Sequence, residues 1–203
     1  MIPHISVHNG KLGASIPSVN LPPVLTCRAD APCKDLCYAR HGRFIWKNVK
    51  SGLQINYDVY RTDPEWYFDY ISAYLSCSAY RFFRFHCSGD IPDAPYLRGI
   101  VRVAQENPQV SFLCFTKQYE IVNEYLQNGN LFPDNLHMIF SVWGDYPCNN
   151  PFRLPVAYVR LKNFECYIPE SAMPCSGSCA SCVNTENSCW KLKPGEAVVF
   201  DQH

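Results

Sequence analysis

Apolar residues along this chain change period several times, and each change marks an element. Short apolar blocks at 81–87, 110–116, 136–142 and 156–161 predict strands, and 197–200 predicts a short final one. Between them, 94–106 and 119–127 carry helical spacing. Asn107-Pro108 stops the first and Asn128-Gly129 closes the second. Asp63-Pro64-Glu65 predicts a helix start, with an Asp cap and Pro at the first helical position, and that helix runs to about Cys77. The first sixty residues are less regular. Residues 4–8 and 11–16 predict a small hairpin about Asn9-Gly10. Residues 18–26 read as a Pro-rich loop, 36–47 as a helix and 50–61 as a second helical stretch.

The middle strands are apolar throughout, which predicts burial on both faces, as in a parallel sheet. Strand–helix alternation with short links implies crossover units. The expected class is α/β: a small or incomplete (β/α) barrel of about six strands, TIM-barrel-like, over residues 1–165. Residues 166–203 read as a cysteine-rich metal-binding extension that returns to the barrel with the final strand. In such folds the C-terminal strand ends carry the chemistry. Those ends are Ser88-Gly89-Asp90, Thr116-Lys117 and Trp143-Gly144-Asp145. Each is polar or holds glycine, and three in series point to one shared site.

Composition narrows the partners. The chain has 203 residues, 47% hydrophobic and 18% charged, so it is globular. Its formal net charge is zero, so nucleic acid is not indicated. No apolar run of about 20 residues offers a membrane span. The N-terminal residues lack a charged region followed by an apolar one, so no secretory signal is expected. The expected location is the cytoplasm. Twelve cysteines in a reducing compartment read as metal binding rather than disulfides.

Cys27, Cys33 and Cys37 fall within eleven residues, spaced C-x5-C-x3-C. Three thiolates from one loop suit a 4Fe–4S cluster whose fourth position stays open. A small molecule can then chelate the open iron, and an electron from the cluster can cleave a bond in it. A zinc site completed by His41 or a distant cysteine is the alternative. Ser88, Gly89 and Asp90 suit such a ligand: glycine permits close backbone approach and the carboxylate accepts from an ammonium. Cys175, Cys179, Cys182 and Cys189 form a second set, C-x3-C-x2-C-x6-C, with little apolar sequence between them. That pattern calls for a ligand, zinc or a second iron–sulfur cluster. The fourth cysteine argues for a closed site, although the first three alone have a spacing that fits an open-iron cluster. Lys117 and Asp145 are candidate substrate groups, or solvated strand-end charges. Strand alternation puts either His86 or Cys87 inside. Cys77, Cys87 and Cys114 read as small buried hydrophobes, whereas Cys148 and Cys166 lie in or near loops. Tyr57, Tyr60, Trp66, Tyr67, Phe68, Tyr70 and Tyr74 read as core rather than as a base-stacking surface. His203 reads as idle.

Together, Pro22-Pro23, the cysteine loop ending Leu36-Cys37-Tyr38-Ala39-Arg40, Phe85-His86-Cys87-Ser88-Gly89-Asp90 and the knuckle ending Cys189-Trp190 resemble the bacteriophage "gene product eighty-eight" family. That family resembles compact radical S-adenosylmethionine (SAM) enzymes. The resemblance implies a phage protein in a bacterial host. It also implies Cys27, Cys33 and Cys37 as cluster ligands, with Leu36 as the hydrophobic residue before the third. Ser88, Gly89 and Asp90 would match the Gly-Gly-Glu type edge that holds the methionine amine. The implied activity is one-electron cleavage of SAM to a 5′-deoxyadenosyl radical, acting on an unknown substrate and fed by a one-electron reductant. The usual spacing is C-x3-C-x2-C, and Ser and Asp replace Gly and Glu. An iron–sulfur redox or regulatory protein without SAM cleavage is therefore the rival reading, and a zinc-stapled phage interaction protein is a third.

Overall fold

A computed structural model describes residues 1–162 and 164–202. Its strands are β1 (Ile5–Ser6), β2 (Ser18–Val19), β3 (Phe82–Phe85), β4 (Ser111–Thr116), β5 (Leu136–Ser141), β6 (Val156–Arg160), β7 (Met173–Pro174) and β8 (Ala197–Asp201). They form one sheet in the order β1-β2-β3-β4-β5-β6-β8-β7. Only β1 and β2 pair antiparallel, and every other neighbour is parallel. The helices are α1 (Lys47–Thr62), α2 (Pro64–Ser76), α3 (Ala94–Glu106), α4 (Tyr119–Gln127) and the single turn α5 (Cys179–Cys182).

The local signals act as the sequence implies. The Asp63 side chain accepts from the Trp66 N–H at the start of α2, and Asp93 accepts from the Tyr96 N–H at the start of α3. On β4, the consecutive residues Phe112, Leu113 and Cys114 are all fully buried, so both faces of the strand are covered. Phe83, Phe85, Phe112, Met138 and Phe140 meet α1–α4 in one aromatic-rich core. Leu113, Ile139, Ala157 and Val198 face the other way. There they meet Leu12, Ile16, Val183 and Trp190 from the first loop and the C-terminal segment.

The four long helices thus share one face of a sheet that advances β3-β4-β5-β6, the winding of a barrel sheet. The expected α/β class with a mostly parallel sheet is present. The sheet has eight strands rather than about six, and it is open, because no described pairing joins β1 to β7. Both edge strands are two residues long, and Pro174 on β7 has no N–H to offer a further strand. The inner face is filled by loops and the C-terminal segment, not by closing strands.

Other expectations need correction. Residues 11–16 do not pair with 4–8. Instead β1 pairs with β2, inside the stretch read as a Pro-rich loop, and Leu12 and Ile16 pack into the inner core. The expected helix at 36–47 is two 3-10 turns, Tyr38–Arg40 and Gly42–Ile45. Extended backbone at His41 and Trp46 and a positive φ at Gly42 interrupt it. The second helical stretch is longer than expected, because α1 starts at Lys47. The strand β7 was not anticipated. The extension does return to the sheet, with β8 between β6 and β7. His203 lies outside the described residues. No described helix is long and apolar enough to cross a membrane.

Gly99 shows how tightly the helical layer is set. A Cβ there would lie 2.1–2.4 Å from three atoms of the Phe68 ring. Gly99→Ala should therefore destabilise the protein by about 1–3 kcal/mol in urea unfolding, although alanine gains about 1 kcal/mol in helix propensity. A stabilised variant would show that α2 and α3 are looser than this contact implies.

Candidate functional site

A cavity of about 580 Å³ opens at the C-terminal ends of the strands. Ligands in open parallel sheets collect at that edge. Cys27, Cys33, Cys37, Leu36, Ser88, Gly89, Asp90 and Lys117 all line it. These residues come from three separate stretches of the sequence. Asp145 is exposed and lies outside the lining, so the structure does not bring it to the others. His41, Cys148 and Cys166 are outside it too.

The cysteine loop is tied down mainly by the end of β3. Leu21 donates its N–H to the Ser88 carbonyl (3.0 Å), and the Ser88 hydroxyl donates back to the Leu21 carbonyl (2.9 Å). Gly89 has φ +78°. A Cβ there would meet the Thr26 hydroxyl at 2.6 Å and the Leu21 carbonyl at 2.8 Å. Only glycine permits this approach. Asp90 is buried, and its carboxylate accepts from the Thr116 hydroxyl (2.6 Å), the Ile91 N–H (2.8 Å) and the Lys117 N–H (2.8 Å). Its own N–H donates to the Thr26 hydroxyl, next to Cys27. Burial raises the Asp90 pKa, and these hydrogen bonds oppose the rise. A carboxylate has about four acceptor positions, so one remains for a ligand.

Arg28 anchors the loop on its other side. It pairs with Asp30 (2.6 Å) and Glu120 (3.2 Å), donates to the Lys117 carbonyl (3.1 Å), and stacks between Tyr119 and Tyr146. Tyr38 closes the loop by donating its hydroxyl to the Cys87 carbonyl.

The thiols of the loop feel one another. Burial, then the Asp90 carboxylate and then Cys33 and Cys37, push the Cys27 thiol up to about 12. Cys37 is raised as well, mainly by burial. The second set lies deeper, on the inner face of the sheet. Cys179 and Cys189 are buried there, and Cys175 and Cys182 are half-buried. Burial and then Cys175, Cys179 and Cys182 push Cys189 up to about 12. This segment is not a free-standing knuckle, because Val183 and Trp190 anchor it in the inner core. Ser178 and Ser188 cap its two short turns. None of the twelve cysteines is in a disulfide. Among the described residues, no group of three or more His, Cys, Asp or Glu side chains is gathered as a site for a single metal ion.

Lining residues given no role from the sequence include Arg84, Lys11 and Phe115. Arg84 had a legible signal, a charge inside an otherwise apolar strand. Cys87, read as a plain buried residue, also lines the cavity, and so does His86. Both can do so because β3 ends at Phe85 and His86 takes φ +64°, so strict alternation has already lapsed.

His86 is buried. Its Nε2 is 3.0 Å from the Tyr96 hydroxyl, and its Nδ1 has no partner. Burial, reinforced by the Arg84 charge, lowers its pKa from 6.5 to about 3. The unfolded chain therefore binds this proton and the folded chain does not. Stability present above pH 6.5 is lost as the pH falls towards 3. From pH 7 to pH 5 the loss due to His86 should be about 2 kcal/mol. His86→Asn, which tolerates the backbone, should flatten that slope in urea unfolding. An unchanged slope would mean that His86 is not held neutral.

The fold and the cavity define an α/β protein with an open parallel sheet and a cysteine-lined chamber at its C-terminal edge. The chain belongs to the family described as Gene product 88, which matches residues 4–160. That span takes in Cys27, Cys33, Cys37 and Ser88-Gly89-Asp90, and it stops short of the four cysteines between 175 and 189. No curated protein and no solved structure matches the chain.

Proposed function

We propose that the protein is a radical-SAM-type enzyme in which Cys27, Cys33 and Cys37 hold a 4Fe–4S cluster at the mouth of the cavity. One observation carries this reading: three thiols from one loop open on the same chamber as the Ser88–Asp90 edge and Lys117. The chemistry of the donors fits. A cysteine nucleophile needs a lowered pKa, and Cys27 and Cys37 are raised. Buried thiols that repel one another as thiolates are stabilised together by bound metal, which displaces their protons. Each thiolate of a cluster binds its own iron, so the three need not converge as they would on a single ion.

Such a cluster, when bound, supplies an electron for cleaving a carbon–sulfur bond in SAM. The chain's own residues position and enclose. Gly89 lets the main chain come close, the free acceptor position of Asp90 takes an ammonium, and Leu36 gives the rim an apolar wall. Lys117 reaches across to Ser141 (2.9 Å) and leaves its remaining donors for substrate. Cys175, Cys179, Cys182 and Cys189 hold a second cluster in the 166–203 extension, or zinc if the segment closes about it, since the four thiols are not gathered on a single point. A reductant delivers the electron, and a reducing cytoplasm, such as that of a phage-infected bacterium, suits twelve free thiols.

Anaerobic purification should give a brown protein with about four or eight irons per chain. Adding SAM and dithionite should release 5′-deoxyadenosine. Cys33→Ala should lose about four irons per chain while its circular dichroism stays native. A colourless protein carrying only zinc would refute the reading. Iron without 5′-deoxyadenosine would leave an iron–sulfur redox or regulatory protein instead. That rival draws support from the three acceptor positions of Asp90 already in use.

A further inference from the structure

We propose that the cavity receives a small organic molecule bearing an anionic oxygen group, a carboxylate or a phosphate, and that Arg84 is its anchor. The inference rests on reading the cavity as a reaction chamber, but not on any metal in it.

Arg84 sits on β3 with its side chain on the inner face of the sheet, among the residues that line the cavity. Its guanidinium lies over the Phe115 ring, 4.8 Å from the centroid. Its Nε is out of contact with solvent and has no hydrogen-bond partner. Among the described residues the guanidinium makes no salt bridge. The side chain is half-buried overall, because it faces the cavity rather than bulk water. A charge held this way is costly without a counter-charge.

The chamber offers no free carboxylate. Two carboxylates line it, and both are engaged elsewhere. Asp90 accepts its three hydrogen bonds from Thr116, Ile91 and Lys117, and Asp201 pairs with Arg160 at 2.8 Å. Cys87, Tyr38, Cys179 and Cys189 are among the groups near enough to act on Arg84, and none of them is a carboxylate. The Tyr38 hydroxyl is already given to the Cys87 carbonyl. Two further cations line the same space, and among the described residues neither makes a salt bridge. The Lys117 ammonium binds only the neutral Ser141 hydroxyl, and Lys11 lies over the Phe200 ring at 4.5 Å. The chamber is therefore positive inside, with one fixed donor fork at depth. Phe115, Trp143 and Phe200 supply apolar walls for the body of a ligand. A planar guanidinium braced on an aromatic ring presents its N–H groups as a fork that matches carboxylate or phosphate oxygens.

The test uses the full chain, purified anaerobically into phosphate-free buffer at fixed ionic strength. Inorganic phosphate, AMP, succinate and citrate are titrated by calorimetry, and iron is counted on the same samples. At least one probe should bind saturably to the wild type. Arg84→Gln should weaken it about tenfold or more, and Lys117→Gln by a few-fold. Arg84→Lys, which keeps the charge and loses the fork, should fall between them. Phosphate-bearing probes binding best assigns a phosphate ligand, and the dicarboxylate or citrate binding best assigns a carboxylate. No saturable binding of any probe, or Arg84→Gln binding like wild type, would overturn the proposal. If Arg84→Gln does not fold, the other two variants decide, and unchanged affinity in both overturns it. Loss of metal from the Cys175–Cys189 set in Arg84→Gln, with no anion bound by wild type, would make Arg84 the counter-ion of those thiolates instead. Iron present without anion binding defeats this inference alone. Anion binding to an iron-free protein defeats the cluster alone.

Discussion

Between Leu21 and Thr26 on one side and Ser88 to Asp90 on the other, the backbone comes too close for any side chain larger than hydrogen at Gly89. Much of the site depends on that approach. It lets Leu21 and Ser88 exchange hydrogen bonds and lets Thr26 reach the Asp90 N–H. Cys27 is the next residue, so the first thiol is placed by the hydrogen bond that joins the Thr26 hydroxyl to the Asp90 N–H just past the end of β3. The buried Asp90 carboxylate extends the join sideways to the end of β4 through Thr116 and Lys117. One residue, Asp90, thus sets the cysteine loop and two strand ends in fixed relation, the loop through its N–H and the end of β4 through its carboxylate. A site needs such support from residues that do not themselves react.

The sheet has a dry face and a chemical face. Helices cover the first with aromatic packing, and Tyr60, Tyr67, Phe68 and Tyr96 meet edge-on or tilted with centroids 4.7–6.1 Å apart. The second carries the cavity above and the Cys175–Cys189 segment below, with Arg84 between them. Placing a cation beside the late thiols has an electrostatic consequence. It lowers the proton affinity of Cys179 and Cys189 against the burial that raises it. Whichever anion occupies this face, bound ligand or thiolate, Arg84 favours it.

Elements bounded by local chemistry were legible. The limits of α3 and α4 follow from an Asp cap, an Asn-Pro stop and an Asn-Gly close, all encoded within a few residues. Elements made by distant partners were not. β2 is two residues in a Pro-rich stretch and exists because β3 offers it a parallel edge. β7 exists because β8 does. The stretch 36–47 has helical composition, yet it is held as two short turns by a loop clamped at Arg28 and Tyr38. Tertiary anchoring outweighs propensity there.

For the site, the sequence by itself determined which residue types stand at the strand ends, how the cysteines group, and that glycine and aspartate follow β3. Those facts are local, since spacing and turn chemistry act over a few bonds. Only the tertiary structure decided that Cys27, Cys33 and Cys37 share a chamber with Lys117 and Asp90 while Asp145 stays outside. It also decided that the late cysteines pack on the inner face of the sheet, and that Arg84 makes no salt bridge among the described residues. Those outcomes depend on which way each side chain leaves its strand and on what the chain brings against it from far away. A single sequence does not display that information.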